Sequence, residues 1–208
     1  WHYPAPLEDA VRAYRALLDR GFAPSDIVLA GDSAGGNLAL VTLLRLRQLG
    51  VALPACAVLI SPWTDLTCSG ESIVTNADQD PMIPVNALRF ISRAYHGSYD
   101  PAEPLISPVH ADLAGLPPLF IQVGSTEVLL SDALNLAERA RGQGVPCELQ
   151  VWDRMTHVFQ ALAGWLPEAS RAVREIGTFV EEAVECAGGE QALPAGARLV
   201  HGGMNNSR

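Results

Sequence analysis

Between an apolar run, Ile27-Val28-Leu29-Ala30, and a long helical segment over 34–49, the chain places Gly31-Asp32-Ser33-Ala34-Gly35-Gly36. A strand that gives way at once to a helix must turn within very few residues. Small side chains make such a turn feasible, and Gly31, Ala34, Gly35 and Gly36 supply them. In this setting the G-x-S-x-G spacing describes a nucleophile elbow. Such a turn lifts the Ser33 hydroxyl off the end of the sheet and points the first N–H groups of the helix at the same spot. The backbone N–H of Ala34 is then placed to stabilise an oxyanion. The competing reading is a glycine-rich turn with no chemistry. A phosphate-binding loop fits less well, because no Gly-Lys-Ser/Thr follows.

The same alternation runs through the chain. Leu7, Val11, Tyr14 and Leu18 recur at helical spacing over 7–20, and Gly21 ends the helix. The run 27–30 predicts a strand buried on both faces. The segment 34–49 is apolar on most sides, as a buried helix is, and Gly50 terminates it. Further strands are predicted over 56–60, 119–123 and 148–152. Helices are predicted over 84–96 with Pro84 in the first turn, over 131–143 with Ser131 as N-cap, and over 167–185 with Pro167 in the first turn. The stretches 62–83 and 100–118 read as loops, and 187–208 as a disordered tail. Strands alternating with helices specify an α/β fold: a mostly parallel sheet of about four strands, with helices on both faces. A length of 208 residues suits one domain, expected over 1–186.

A serine hydroxyl is a weak nucleophile without a base. Of the five histidines (His2, His96, His110, His157 and His201), only His157 stands in a short loop between a predicted strand and a predicted helix late in the chain. Such a loop reaches the rim where Ser33 is expected; the other four read as structural or solvated. The base needs a carboxylate to fix its tautomer. Glu127 follows the strand 119–123 by a few residues and is the first candidate. Asp132 is the alternative, although its position after the predicted N-cap already suits the helix dipole. The order Ser33, then the acid, then His157 is that of α/β-hydrolases. Asp65, Asp78 and Asp80 lack a nearby histidine or ligand spacing and read as turn residues, so no metal is expected.

A net charge of −9 disfavours nucleic acid and anionic membranes as partners. No apolar run reaches the roughly 18 residues that span a bilayer. Cys56, Cys68, Cys147 and Cys186 are scattered without a CxxC pair and read as reduced structural thiols, which suits the cytoplasm. Self-association into a homo-oligomer stays open.

Together these stretches resemble the hormone-sensitive-lipase-like esterases, the α/β-hydrolase fold-3 group. The likeness is carried by Tyr3-Pro4-Ala5-Pro6-Leu7-Glu8-Asp9-Ala10, the run GDSAGGNLA over 31–39, Ser61-Pro62-Trp63-Thr64-Asp65-Leu66, Ile106-Ser107-Pro108, Gly115-Leu116-Pro117-Pro118, and the Glu127 and His157 segments. It extends over about 3–185. Most members have Asp in a D-P-L-x-D segment where this chain has Glu127-Val128-Leu129-Leu130-Ser131. The resemblance implies a carboxylic ester hydrolase for short-chain acyl esters, a small-molecule substrate and no cofactor. It also implies a cap, first strands and an HGGG motif ahead of Trp1, so that the chain holds the later four of eight strands. Each oxyanion donor is worth about 10²–10³ in rate, and the chain alone is therefore expected to be nearly inactive. His201-Gly202-Gly203 superficially resembles the HGGG motif, but too few residues follow it for a permuted arrangement. A non-catalytic interaction module, or a peptidase or thioesterase on the same fold, are the competing functions.

Overall fold

The computed structural model describes residues 1–189. Four parallel strands lie side by side in chain order: β1 (Val28–Asp32), β2 (Cys56–Ile60), β3 (Leu119–Gly124) and β4 (Cys147–Trp152). The register runs Gly31–Leu59, Leu59–Ile121 and Ile121–Leu149 across the sheet. All four carboxyl ends therefore open on one rim.

The helices are α1 (Ala5–Asp19), α2 (Ala34–Gln48), α3 (Ser72–Thr75), α4 (Val85–His96), α5 (Leu130–Gly142) and α6 (Pro167–Gly188). Because the strands advance in sequence, the crossover helices α2 and α5 share one face. There Leu119, Ile121 and Val123, at period two on β3, pack with Leu40, Leu43 and Leu44 of α2 and Leu136 and Ala137 of α5. The alternate residues of β3 face α6: Phe120 stacks on Phe179 at 4.9 Å, and the Gln122 amide donates to the Ala172 carbonyl at 3.0 Å. Helix α2 is buried nearly all round because α1 covers its other side, through Leu7, Val11 and Tyr14 against Val41 and Leu46. Each fully buried leucine of this layer contributes about 1.5–3 kcal/mol.

Several expectations are corrected. Strand β1 is not buried on both faces. It lies at the edge of the sheet among the described residues, and Ala30 and Asp32 are exposed. Ser131 is not the N-cap of α5; that position is Leu129, and Ser131 lies inside the first turn. Its hydroxyl instead accepts from the Ser72 N–H at 2.9 Å, while the Ser72 hydroxyl accepts from the Ser131 N–H at 2.8 Å. The segment 62–83 carries the short helix α3, and Pro84 caps α4 from outside. Helix α6 runs on to Gly188, past the expected start of the tail. The rest of that tail from 190 on, with His201, Gly202 and Gly203, lies outside the described residues.

Candidate active site

Ser33 directly follows β1 and serves as N-cap of α2, with φ 54° and ψ −120°, a conformation that L-residues seldom adopt. The turn is held from outside. The Ser33 N–H donates to the Ile60 carbonyl at 2.9 Å, and its own carbonyl accepts from the N–H groups of Asn37 at 3.2 Å and Trp63 at 3.1 Å. A Cβ at Gly31 would stand 2.2 Å from the Gly35 carbonyl oxygen, and one at Gly36 would stand 2.9 Å from Pro62 Cβ. Glycine is therefore required at both positions. Gly35 has open space around it, so the tight packing expected there does not apply. Asn37, the next residue of the run, is buried and ties the helix to the neighbouring loops through the Trp63 carbonyl at 2.8 Å and the Ile106 carbonyl at 2.9 Å. Ala34 is the first residue of α2, and its N–H has no acceptor within the helix.

Glu127 and His157 come together at the ends of β3 and β4. His157 Nδ1 lies 2.8 Å from Glu127 Oε2, and both side chains are buried, the carboxylate completely. The second carboxylate oxygen, Oε1, accepts from the Gly124 N–H at 2.5 Å and the Ser61 hydroxyl at 2.8 Å. The two loops that carry the acid and the histidine are joined along their length. The Thr126 hydroxyl donates to the Met155 carbonyl, and the Ser125 hydroxyl accepts from the Arg154 N–H, both at 2.8 Å. The chains cross so closely at Gly124 that a Cβ there would meet the Met155 oxygen at 2.0 Å. Among the described residues Ser33 Oγ forms no hydrogen bond with His157. The link runs through β2: Ser33 N–H to Ile60, then Ser61, whose hydroxyl bonds Glu127 and accepts from the N–H of Val158 at 3.2 Å.

The alternative acid, Asp132, is engaged elsewhere. Its Oδ2 accepts from the N–H groups of Thr64 at 2.7 Å and Asp65 at 2.8 Å, and it forms no hydrogen bond with His157. Burial pushes its carboxyl up to about 7, against the opposing pull of those two N–H groups. Asp65 shows the reverse balance. Burial raises it, but hydrogen bonds from the hydroxyls and N–H groups of Ser69 and Thr67 outweigh that and bring it below the ordinary range. Asp80 accepts from the N–H groups of Met82, Ile83 and Val128, and Asp78 is exposed. Among the described residues no three His, Cys, Asp or Glu side chains cluster as metal ligands.

Sequence reasoning missed the residues that grip the acid loop from the segment 61–83. Asn76 donates to the carbonyls of Ser125 at 3.1 Å and Glu127 at 2.8 Å; Asp80 and Ser72 bind Val128 from either side. The only mark Ser61 carries in the sequence is its place as the first residue past a strand lying between those of Ser33 and Glu127, which does not by itself single it out. Of the remaining histidines, the His2 ring bonds the Ala94 carbonyl and His110 lies 3.7 Å from Asp65 Oδ1.

A family model described as alpha/beta hydrolase fold matches residues 1–161. An acetyl-hydrolase of Streptomyces hygroscopicus is 46% identical over 181 residues, which are 87% of this chain and 60% of that protein. An esterase of Acinetobacter venetianus is 38% identical over 178 residues, 85% of this chain and 59% of that protein. Among solved structures, an esterase from the bacterial hormone-sensitive lipase family superposes with a TM-score of 0.86 at 48% identity, covering 88% of this chain and 62% of that one. An esterase/lipase from an uncultured bacterium gives 0.85 at 43% identity, with the same coverage. The chain thus spans about three fifths of the length of these relatives.

Proposed function

The chain belongs to the alpha/beta hydrolase fold family, and from that premise we propose that the protein hydrolyses carboxylic esters through an acyl-enzyme on Ser33. Ser33 Oγ attacks the ester carbonyl while His157 Nε2 takes its proton. The Ala34 N–H receives the oxyanion, and Glu127 holds the His157 ring with Nδ1 protonated and stabilises the imidazolium. His157 then returns the proton to the departing alcohol. Water, deprotonated by the same nitrogen, releases the acid and restores Ser33. Ser33 Oγ and His157 Nε2 close to hydrogen-bond distance when an ester is seated, as catalytic contacts commonly do.

One observation carries the reading: a strained serine, a buried carboxylate and the imidazole bonded to it stand past the carboxyl ends of β1, β3 and β4, in the chain order of this family. The relative named an acetyl-hydrolase supports small-molecule esters with short acyl chains as substrates. Four free cysteines support a reducing compartment, the cytoplasm. A fluorophosphonate probe tests the chemistry. The chain should label covalently at Ser33, slowly in keeping with the low turnover expected of it, and Ser33→Ala should abolish labelling. A folded chain that stays unlabelled even on long exposure sinks the proposal and favours a binding module. A panel of esters, thioesters and peptides then sorts the substrate class.

A further inference from the structure

Resting on that reading, we propose that Ser61 is a positioning residue of the site, whose hydroxyl sets both the Glu127 carboxylate and the backbone that carries His157. Ser61 is fully buried and occupies the first position past β2, on the strand between those of the nucleophile and the acid. Its hydroxyl has two partners. A carboxylate oxygen only accepts and a backbone N–H only donates, so the direction of both bonds is forced. The Ser61 proton goes to Glu127 Oε1 at 2.8 Å, and a Ser61 lone pair receives the Val158 N–H at 3.2 Å.

The first bond, with that from the Gly124 N–H, occupies Oε1 and leaves Oε2 for His157 Nδ1. The second grips the residue next to His157. Val158 is held at φ 51°, ψ 40°, a left-handed conformation that a β-branched residue adopts only under constraint. Ser61 itself sits at φ 46°. Glycine would adopt that angle without a Cβ penalty. The backbone alone thus favours glycine, and the hydroxyl is what serine adds. One side chain therefore ties the acid rotamer to the backbone carrying the base, and its own strained backbone is fixed by an N–H bond to the Gln122 carbonyl at 2.7 Å.

The test compares Ser61→Gly, which relaxes the backbone and deletes the hydroxyl, with Ser61→Ala, which deletes the hydroxyl and keeps the strain. Both are made in the full chain with ¹⁵N-labelled histidine rings. The exchange of the His157 Nδ1 proton with water and the rate of fluorophosphonate labelling at Ser33 are the readouts, with thermal unfolding as the check on fold. The expected result is that both variants exchange that proton faster and label more slowly, each by about tenfold to a hundredfold, while Ser61→Gly unfolds no earlier than Ser61→Ala. A glycine variant with unchanged exchange and labelling overturns the proposal. So does one that cannot fold, since the hydroxyl would then be a structural tie. A parent chain that never labels sinks the hydrolase reading alone, because proton exchange still measures what Ser61 does to the Glu127–His157 pair.

Discussion

Glu127 has two carboxylate oxygens and three donors: Gly124 N–H, the Ser61 hydroxyl and His157 Nδ1. An amide of the same shape would accept the first two and present its own N–H₂ to His157. The ring would then be driven to the tautomer that accepts at Nδ1 and holds its proton at Nε2, where the proposed nucleophile, Ser33, needs a lone pair. Glu127→Gln should therefore fold like the parent yet label with fluorophosphonate more slowly by about 10⁴. Labelling kinetics beside a thermal melt check this; a rate within tenfold of the parent would contradict the role given to Glu127. Ser33, Glu127 and His157 could be singled out as candidates because each comes shortly after a predicted strand, at the rim where the strands of a parallel sheet end. Ser61 was not, because a serine after a strand is common and its meaning depends on two partners far along the chain.

At the scale of elements, the strands and most helices follow their sequence patterns to within a residue or two. The segment 61–83 does not, and the reason is physical. It is shaped by side chains bonding distant backbone groups, such as Asn76 to Glu127, Asp80 to Val128 and Asp132 to Thr64 and Asp65, and not by any period. The exposure of Ala30 on β1 was hidden similarly, since an apolar run reports that a strand is covered on average, not which of its residues are. The Asp132 anchor gives this segment a pH signature. Its folded carboxyl titrates at about 7, above the ordinary value of 3.8, so the folded chain holds that proton more tightly than the unfolded chain. The stability involved is present below about pH 4 and is lost as pH rises through about 7. Between about pH 5 and 8 the parent should lose several degrees of Tm relative to Asp132→Asn, at about 2–4 °C per kcal/mol. Parallel melting curves for the two proteins would refute the anchor's titration.

Across the whole molecule, burial also governs the thiols. It pushes Cys56 and Cys68 up to about 11 and Cys147 up to about 12, so these groups hold little thiolate at neutral pH. Cys186, on α6, is only partly covered. Titration of the native chain with a thiol reagent should show one fast group, and four after denaturation; three or more fast groups in the native chain would contradict this packing. The crossing at Gly124 has a different bearing, on how such a chain can change. The acid connection and the histidine connection are keyed together, through Gly124 against Met155 and the two hydroxyl bonds beside it. A residue inserted into either one would shift every contact in the other. A change of length is thus better tolerated in places like the exposed turn after α4, and any diversification of the two keyed connections has to move both at once.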